Sequence, residues 1–282
     1  MERSPASADQ SGSPSTGGGA LSHRFAVAGV GLPALALLLA LPEEPFLAAL
    51  LLIAAFAGVE VARAAGASIG SALRAGVAVA VLAGGLRAAD PAASAVVLPL
   101  VVLVLAAVLS GARSERPACL WWAAGVLYVA VLAAHLGLLR VELEGQRWLL
   151  VLLAGVFATD TGAYAVGRTL GRRALAPSIS PRKTWEGAVG GFLAGAAATA
   201  GVAWALDLTS GADAITGTAL IGAALTLPIA AQAGDLLASA IKRRLGVKDF
   251  SRLLPGHGGL LDRMDSLLAA GPTLYWIVAW GT

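Results

Sequence analysis

The sequence is short of charge, of cysteine and of lysine, and each shortage removes a class of protein. Only 13% of its 282 residues are charged, while 57% are hydrophobic. Soluble globular domains carry roughly a quarter charged residues. The apolar residues also gather into runs of about 20, the length that crosses a bilayer core, so a soluble fold is excluded. The single cysteine, Cys119, forbids an internal disulfide; it carries no redox or zinc-binding motif and is read as a packing residue. No repeat of 20–50 residues is visible, which takes away the usual sequence support for a transporter built on internal repeats. A short basic stretch leading straight into an apolar run is also missing. Residues 1–22, rich in Ser, Gly, Pro and Ala, therefore read as a disordered tail and not as a cleaved signal peptide.

What is present is a succession of apolar segments. Nine spans are predicted, at 25–41, 46–63, 70–87, 94–111, 118–138, 147–167, 187–206, 216–241 and 266–281. The 35 glycines suit close helix packing in lipid better than they suit soluble helices. Cation placement sets the orientation. With the N-terminus in the cytoplasm, seventeen of the 20 basic residues lie on that side, in the tail and near the loops 64–69, 112–117, 168–186 and 242–265. Only Arg87, Arg140 and Arg147 lie on the other. The expected fold is an all-α polytopic membrane protein of about nine helices, N-terminus cytoplasmic and C-terminus outside. Residues 23–145 form an N-terminal set of about five helices, and 146–282 a catalytic region.

The ionisable residues near the membrane gather in three clusters, all on the predicted cytoplasmic side. The first is Asp160-Thr161-Gly162-Ala163-Tyr164 with Arg168, where Asp160, Tyr164 and Arg168 share one helix face. An Asp near the end of a span must face a polar cavity or a partner. A structural Asp–Arg pair at the interface is the competing account. The second is Leu175-Ala176-Pro177-Ser178-Ile179-Ser180-Pro181-Arg182-Lys183-Thr184-Trp185-Glu186-Gly187, where hydroxyls and two cations gather beside two prolines that hold the backbone extended. It reads as a phosphate-binding loop, or as a positive-inside loop with an interfacial Trp185. The third runs from Gly234-Asp235 through Ser239, Lys242-Arg243, Lys248-Asp249 and His257-Gly258-Gly259 to Asp262-Arg263-Met264-Asp265. Asp235, Ser239 and Lys242 share a helix face, and Asp262 and Asp265 are spaced to face one side near the start of the next helix, where its dipole favours carboxylates. Oxygen donors on separate helices suit Mg²⁺ shared with phosphates, and Gly258-Gly259 lets backbone amides approach an anion.

Lysine is scarce for a reason that concerns the site. Seventeen of the 20 basic residues are Arg, and the three lysines (Lys183, Lys242 and Lys248) all fall within these clusters. Loop charge alone is met by Arg, so a compact ammonium there points to contact with phosphate. Glu60, inside the second span, is a candidate to line a cavity, but one membrane acid fixes no role; His135, placed at the end of the fifth, is taken as interfacial.

The stretch from Ser239 to Asp265, S-A-I-K-R-R-L-G-V-K-D-F-S-R-L-L-P-G-H-G-G-L-L-D-R-M-D, resembles the signature of phosphatidate cytidylyltransferases. D-T-G-A-Y-x-x-G-R and S-I-S-P-R-K-T-W-E-G resemble that family's upstream motifs, with Arg182 where a second Lys is common. The resemblance covers 160–187 and 234–266; the first five spans share only hydrophobicity with the family. It implies a multi-pass enzyme of the cell membrane, a homodimer with its site facing the cytoplasm. Its substrates are CTP and phosphatidic acid in the bilayer, with no nucleic-acid partner. Divalent metal is implied at Asp235 and Asp262, assisted by a monovalent cation such as K⁺.

On that reading Asp235 and Asp262 hold Mg²⁺, with Asp265 a third ligand or a neighbour of the ligands. Lys242, Arg243, Lys248 and Arg263 hold phosphates, with Asp249 and Ser239 beside them. Asp160, Arg168, Ser180, Lys183 and Thr184 cover the nucleotide or the lipid headgroup. His257 either orients a phosphate or shapes the turn at Gly258-Gly259. The rival functions are a CTP-dependent kinase of a polyprenol or phytol, which releases CDP, and a non-catalytic transporter or scaffold.

Overall fold

In hydrocarbon each backbone N–H and C=O must be satisfied within its own segment, so apolar runs of this length become helices. The computed structural model describes residues 31, 33–88, 118–211, 214–251, 253 and 258–281. These form α1 (Glu43–Ala64), α2 (Ile69–Ala88), α3 (Ala118–Val141), α4 (Gly145–Leu170), α5 (Trp185–Ala205), α6 (Gly217–Leu245) and α7 (Leu261–Gly281). Residues 33–40 are helical as well. Among the described residues six helices, α1 to α6, are long and apolar enough to cross a membrane. They correspond to the predicted spans 46–63, 70–87, 118–138, 147–167, 187–206 and 216–241. The predicted span 94–111, the tail 1–22, the first part of 25–41 and His257 lie outside the described residues. Helix α7 contains the last predicted span but starts five residues earlier, with Asp262, Arg263 and Asp265 in its first two turns.

The surface of the bundle is apolar. Leu52, Phe56, Leu73, Val77, Val189, Leu193, Ile221 and Ile229 all point outward. A water-soluble protein rarely exposes so much contiguous apolar surface, whereas lipid accepts it. The fold is that of a helical, multi-pass membrane protein. Helix α3 is its hub: 83% of Ala124–Val141 is buried, against at most 50% for any other span.

Contacts sort the helix termini onto two ends. At one, Arg87 bonds Glu43, Arg140 donates to the Leu41 carbonyl, Gln146 to Leu39 and Arg147 to Leu206. The Thr216 amide meets Gly281 at that same end. At the other lie the C-terminal parts of α1, α4 and α6 and the start of α7, joined through Glu60, Lys183, Asp235 and Asp262. The three basic residues read as outside thus share an end, opposite the three ionisable clusters.

Two local features depart from expectation. The segment after α4 is a small antiparallel hairpin, β1 (Ala174–Ala176) against β2 (Ser180–Thr184), with Ala176 opposite Ser180 and Ala174 opposite Thr184. Pro181 does lie in an extended strand, but Pro177 opens the turn and the segment pairs with itself, so the fold is not purely helical. His135 is fully buried, not interfacial: its Nδ1 donates to the Val131 carbonyl at 2.7 Å and its ring packs against Tyr275 and Trp276.

Candidate active site

The site begins where α4 runs out of apolar residues. Asp160, Tyr164 and Arg168 share a face there and line a cavity of about 470 Å³. Arg168 donates to the Tyr164 hydroxyl at 2.7 Å, with its guanidinium over the ring. The hairpin folds back over this face and delivers Arg182, Lys183 and Thr184 to the cavity wall. Local chemistry fixes that turn. The Thr184 hydroxyl caps α5 by accepting from the Gly187 amide at 3.1 Å, and Glu186 accepts from the amides of Arg172 and Arg173. Part of the cation-rich loop is therefore held by the helix that follows it.

Helix α6 supplies the opposite wall with Gln232, Asp235 and Leu236. The Lys183 ammonium lies 2.5 Å from the Asp235 carboxylate, joining the second and third clusters across the cavity. Ser239 donates to the other Asp235 oxygen at 3.4 Å. Arg243 donates to the Ile179 carbonyl, tying α6 to the hairpin turn. The residues read as a loop from 242 onward start as helix: Lys242, Arg243 and Arg244 form the last turn of α6, where cations suit the dipole, before Gly246 ends it at φ 77°.

Beyond the cavity lies a second, more buried arrangement. Lys242 and Asp262 pair at 2.6 Å with side chains only 11% and 5% exposed. The second oxygen of Asp262 accepts from the amides of Phe250 and Gly259, each at 2.9 Å. Gly258 sits at φ 81°, where a side chain is strained, and a Cβ there would approach the Asp262 carboxylate to 3.1 Å. Asp265 is one turn further on and buried; it accepts from the Ser266 amide at 2.7 Å. Asp265 links the two arrangements, because its charge meets those of Asp235, Asp160 and Lys242.

Most of the expected residues converge. Asp160, Arg168, Lys183, Thr184 and Asp235 line the cavity. Lys242, Asp262 and Asp265 stand behind it, and the charge of Arg263 reaches Asp160. Lys248 and Asp249 lie exposed on the turn after α6, with Asp249 in ordinary van der Waals reach of a Cβ placed on Gly258. Ser180 opens β2 and stays off the cavity wall. Two residues were not found from sequence, and a third, Glu60, was seen there without its partner. Gln232, one turn before Asp235, lines the cavity and donates to the Ala188 carbonyl at 3.2 Å. The buried Tyr128 hydroxyl feels the charges of Asp265 and Asp235 and has no hydrogen-bond partner among the described residues. Glu60 bonds the start of α7. Each is a polar residue in an apolar helix, a visible anomaly whose partner is set only by packing.

Three mutually repelling carboxylates, Asp160, Asp235 and Asp265, beside lysines make an oxygen-only donor set. Among the described residues no three acidic, His or Cys side chains gather tightly enough to hold a metal unaided. The set fits a hard divalent cation that is shared with a ligand's phosphates, and not an all-protein cage.

A phosphatidate cytidylyltransferase of Brucella suis is 47% identical over 156 residues, 55% of this chain and 56% of the relative. Enzymes of the same name from Mycobacterium bovis and Haemophilus influenzae are 42% identical over 135 residues and 43% over 148. Those matches cover 48% of this chain in each case, and 42% and 50% of the relatives. The chain spans about half the length of the curated relatives it matches. The sequence profile of the cytidylyltransferase family matches nearly all of it, residues 22–280. With that match and a cavity that joins the family-like segments, the chain belongs to the cytidylyltransferase family.

Proposed function

We propose that this protein transfers CMP from CTP to phosphatidic acid, giving CDP-diacylglycerol and pyrophosphate for phospholipid synthesis. The observation that carries the reading is the Lys183–Asp235 pair on the wall of a cavity of about 470 Å³, with Asp160, Arg168 and Arg182 around it. Cations and carboxylates alternating on one concave surface suit two anionic reactants that must be neutralised and aligned. The names of the relatives support the same substrates.

A phosphate oxygen of phosphatidic acid attacks the α-phosphorus of CTP. The bond from that phosphorus to the oxygen bridging the β-phosphate breaks, and pyrophosphate leaves. The nucleophile is already ionised, so no general base is required. Arg168, Arg182 and Lys183 hold phosphates on the hairpin side, and Arg243, Lys248 and Arg263 do so at the mouth. Asp235 and Asp262 would hold Mg²⁺, the latter exchanging Lys242 for the ion, with Asp265 a third ligand or a neighbour of the ligands; K⁺ would assist as the monovalent ion. The metal, when bound, supplies charge neutralisation on the reacting phosphates and the leaving pyrophosphate.

The same reading takes nine spans, N-terminus in and C-terminus out, in a homodimer of the cell membrane, with the site facing the cytoplasm, where CTP is found. The separation of Arg87, Arg140 and Arg147 from the other cations supports that orientation. The test is to incubate the purified full chain with phosphatidic acid, CTP labelled on the cytidine and Mg²⁺, with and without EDTA. Labelled CDP-diacylglycerol with one pyrophosphate per lipid, both lost in EDTA, is expected. Release of CDP in place of pyrophosphate would assign a kinase, and no lipid-linked cytidine under any condition would sink the reading.

A further inference from the structure

Glu60 is an acid in the middle of an apolar sequence, and it is 5% exposed. A buried carboxylate is tolerated only when its oxygens are fully engaged. Here Oε1 accepts from the Ser251 hydroxyl at 2.6 Å and the Leu260 amide at 2.9 Å, and Oε2 from the Leu261 amide at 2.8 Å. Leu261 is the first residue of α7, so Glu60 takes backbone N–H groups that the helix cannot satisfy itself, at its positive end. The neighbouring Gly259 amide goes to Asp262. Two carboxylates from opposite ends of the chain thus divide the N–H groups of one tight turn. The fit has no slack: a Cβ on Gly259 would lie 2.8–2.9 Å from both Glu60 oxygens.

We propose that Glu60 is a positioning residue for the transfer reaction. It clamps the turn 258–261, and with it the register at which α7 presents Asp262 and Asp265. The inference rests on the function proposed above for its kinetic part only. If Glu60 is lost, the amides of Leu260 and Leu261 lose their acceptor, and Asp262 is the carboxylate beside them. Drawn toward those amides, Asp262 leaves Lys242, and the carboxylates no longer meet the cavity at the right distance. Misplacement on that scale lowers turnover without removing the groups that bind CTP.

The test uses the full chain in lipid nanodiscs with Glu60→Gln, Ser251→Ala, Gly259→Ala, Glu60→Ala and the Glu60→Ala/Gly259→Ala pair. Gln keeps one acceptor but turns an amide donor toward a backbone N–H. Its kcat is expected to fall about 10- to 100-fold, with KM for CTP within about threefold of wild type. Ser251→Ala removes one of the three donors among the described residues and should lose less. Gly259→Ala alone should resemble Glu60→Gln, because the new methyl displaces the carboxylate. In the Glu60→Ala background that methyl finds room, so the two losses should be non-additive. Wild-type kcat in Glu60→Gln, a loss confined to KM, or simple additivity of the pair would overturn the proposal. Should Glu60→Gln fail to fold, Ser251→Ala and Gly259→Ala carry the kinetic test. Hydrogen exchange at the 259–262 amides reads the clamp without any substrate. Exchange at least about tenfold faster in Glu60→Gln is expected from loss of one bond's protection, and unchanged exchange overturns the clamp even if wild type makes no CDP-diacylglycerol.

Discussion

Two aspartates of this site differ in what holds them, and the difference separates their expected roles. Asp235 faces the cavity with its side chain 33% exposed and one ammonium partner. A partly exposed pair of that kind contributes at most about 1 kcal/mol to stability. Asp235→Asn should therefore fold normally, while activity falls by about 100-fold or more through lost electrostatic organisation. Thermal unfolding beside the transfer assay checks both, and full activity would remove the metal assignment. Asp262 is enclosed, with Lys242 and two amides engaging both oxygens. Lys242→Met leaves that carboxylate buried without its counter-charge, which costs about 3 kcal/mol. Its melting temperature should drop clearly, whereas that of Asp235→Asn should not. The chemical types at these positions were readable locally, because i, i+3 and i, i+4 spacing is a property of a helix and needs no partner. The enclosure of Asp262 was not, since Phe250 and Gly259 reach it only through the fold of the turn.

At the scale of elements, the site depends on how closely α4 and α5 approach. A Cβ on Gly191 would meet the Thr159 carbonyl oxygen at 2.7 Å, and one on Gly162 would meet the Gly190 carbonyl oxygen at 2.9 Å. Close backbone approach through small residues is how helices associate where lipid offers no hydrophobic drive. Gly191→Ala should force the helices apart and destabilise by roughly 1–3 kcal/mol. Because α4 carries Asp160 and α5 anchors Lys183 through its Thr184 cap, activity should fall with it. Gly201→Ala, in the same helix but facing open space, is the control and should melt with wild type. The helices themselves were legible as apolar runs, to within a few residues at most ends. The hairpin was not, because a five-residue strand with two cations and a proline shows no alternation that a reader could separate from a loop.

For the whole molecule, the two-ended sorting of polar contacts makes a claim about topology. In a Cys119→Ala background, Arg172→Cys beside the hairpin should react with a membrane-impermeant maleimide only from the cytoplasmic face. Ser210→Cys, at the far end of α5, should react only from the other. Labelling of both from one face would overturn the orientation. Membrane class, helix number within the described residues and the chemical character of the three clusters all follow from local quantities: the length of an apolar run, the side on which cations fall, and spacing along one helix. Packing alone decided which clusters touch. Lys183 meets Asp235, Arg243 meets Ile179 64 residues away, and Glu60 meets Leu261 across 201 residues. Such contacts depend on which helices cross and at what depth, and that is settled by the shapes of the glycine-lined faces acting together. No window of sequence contains it.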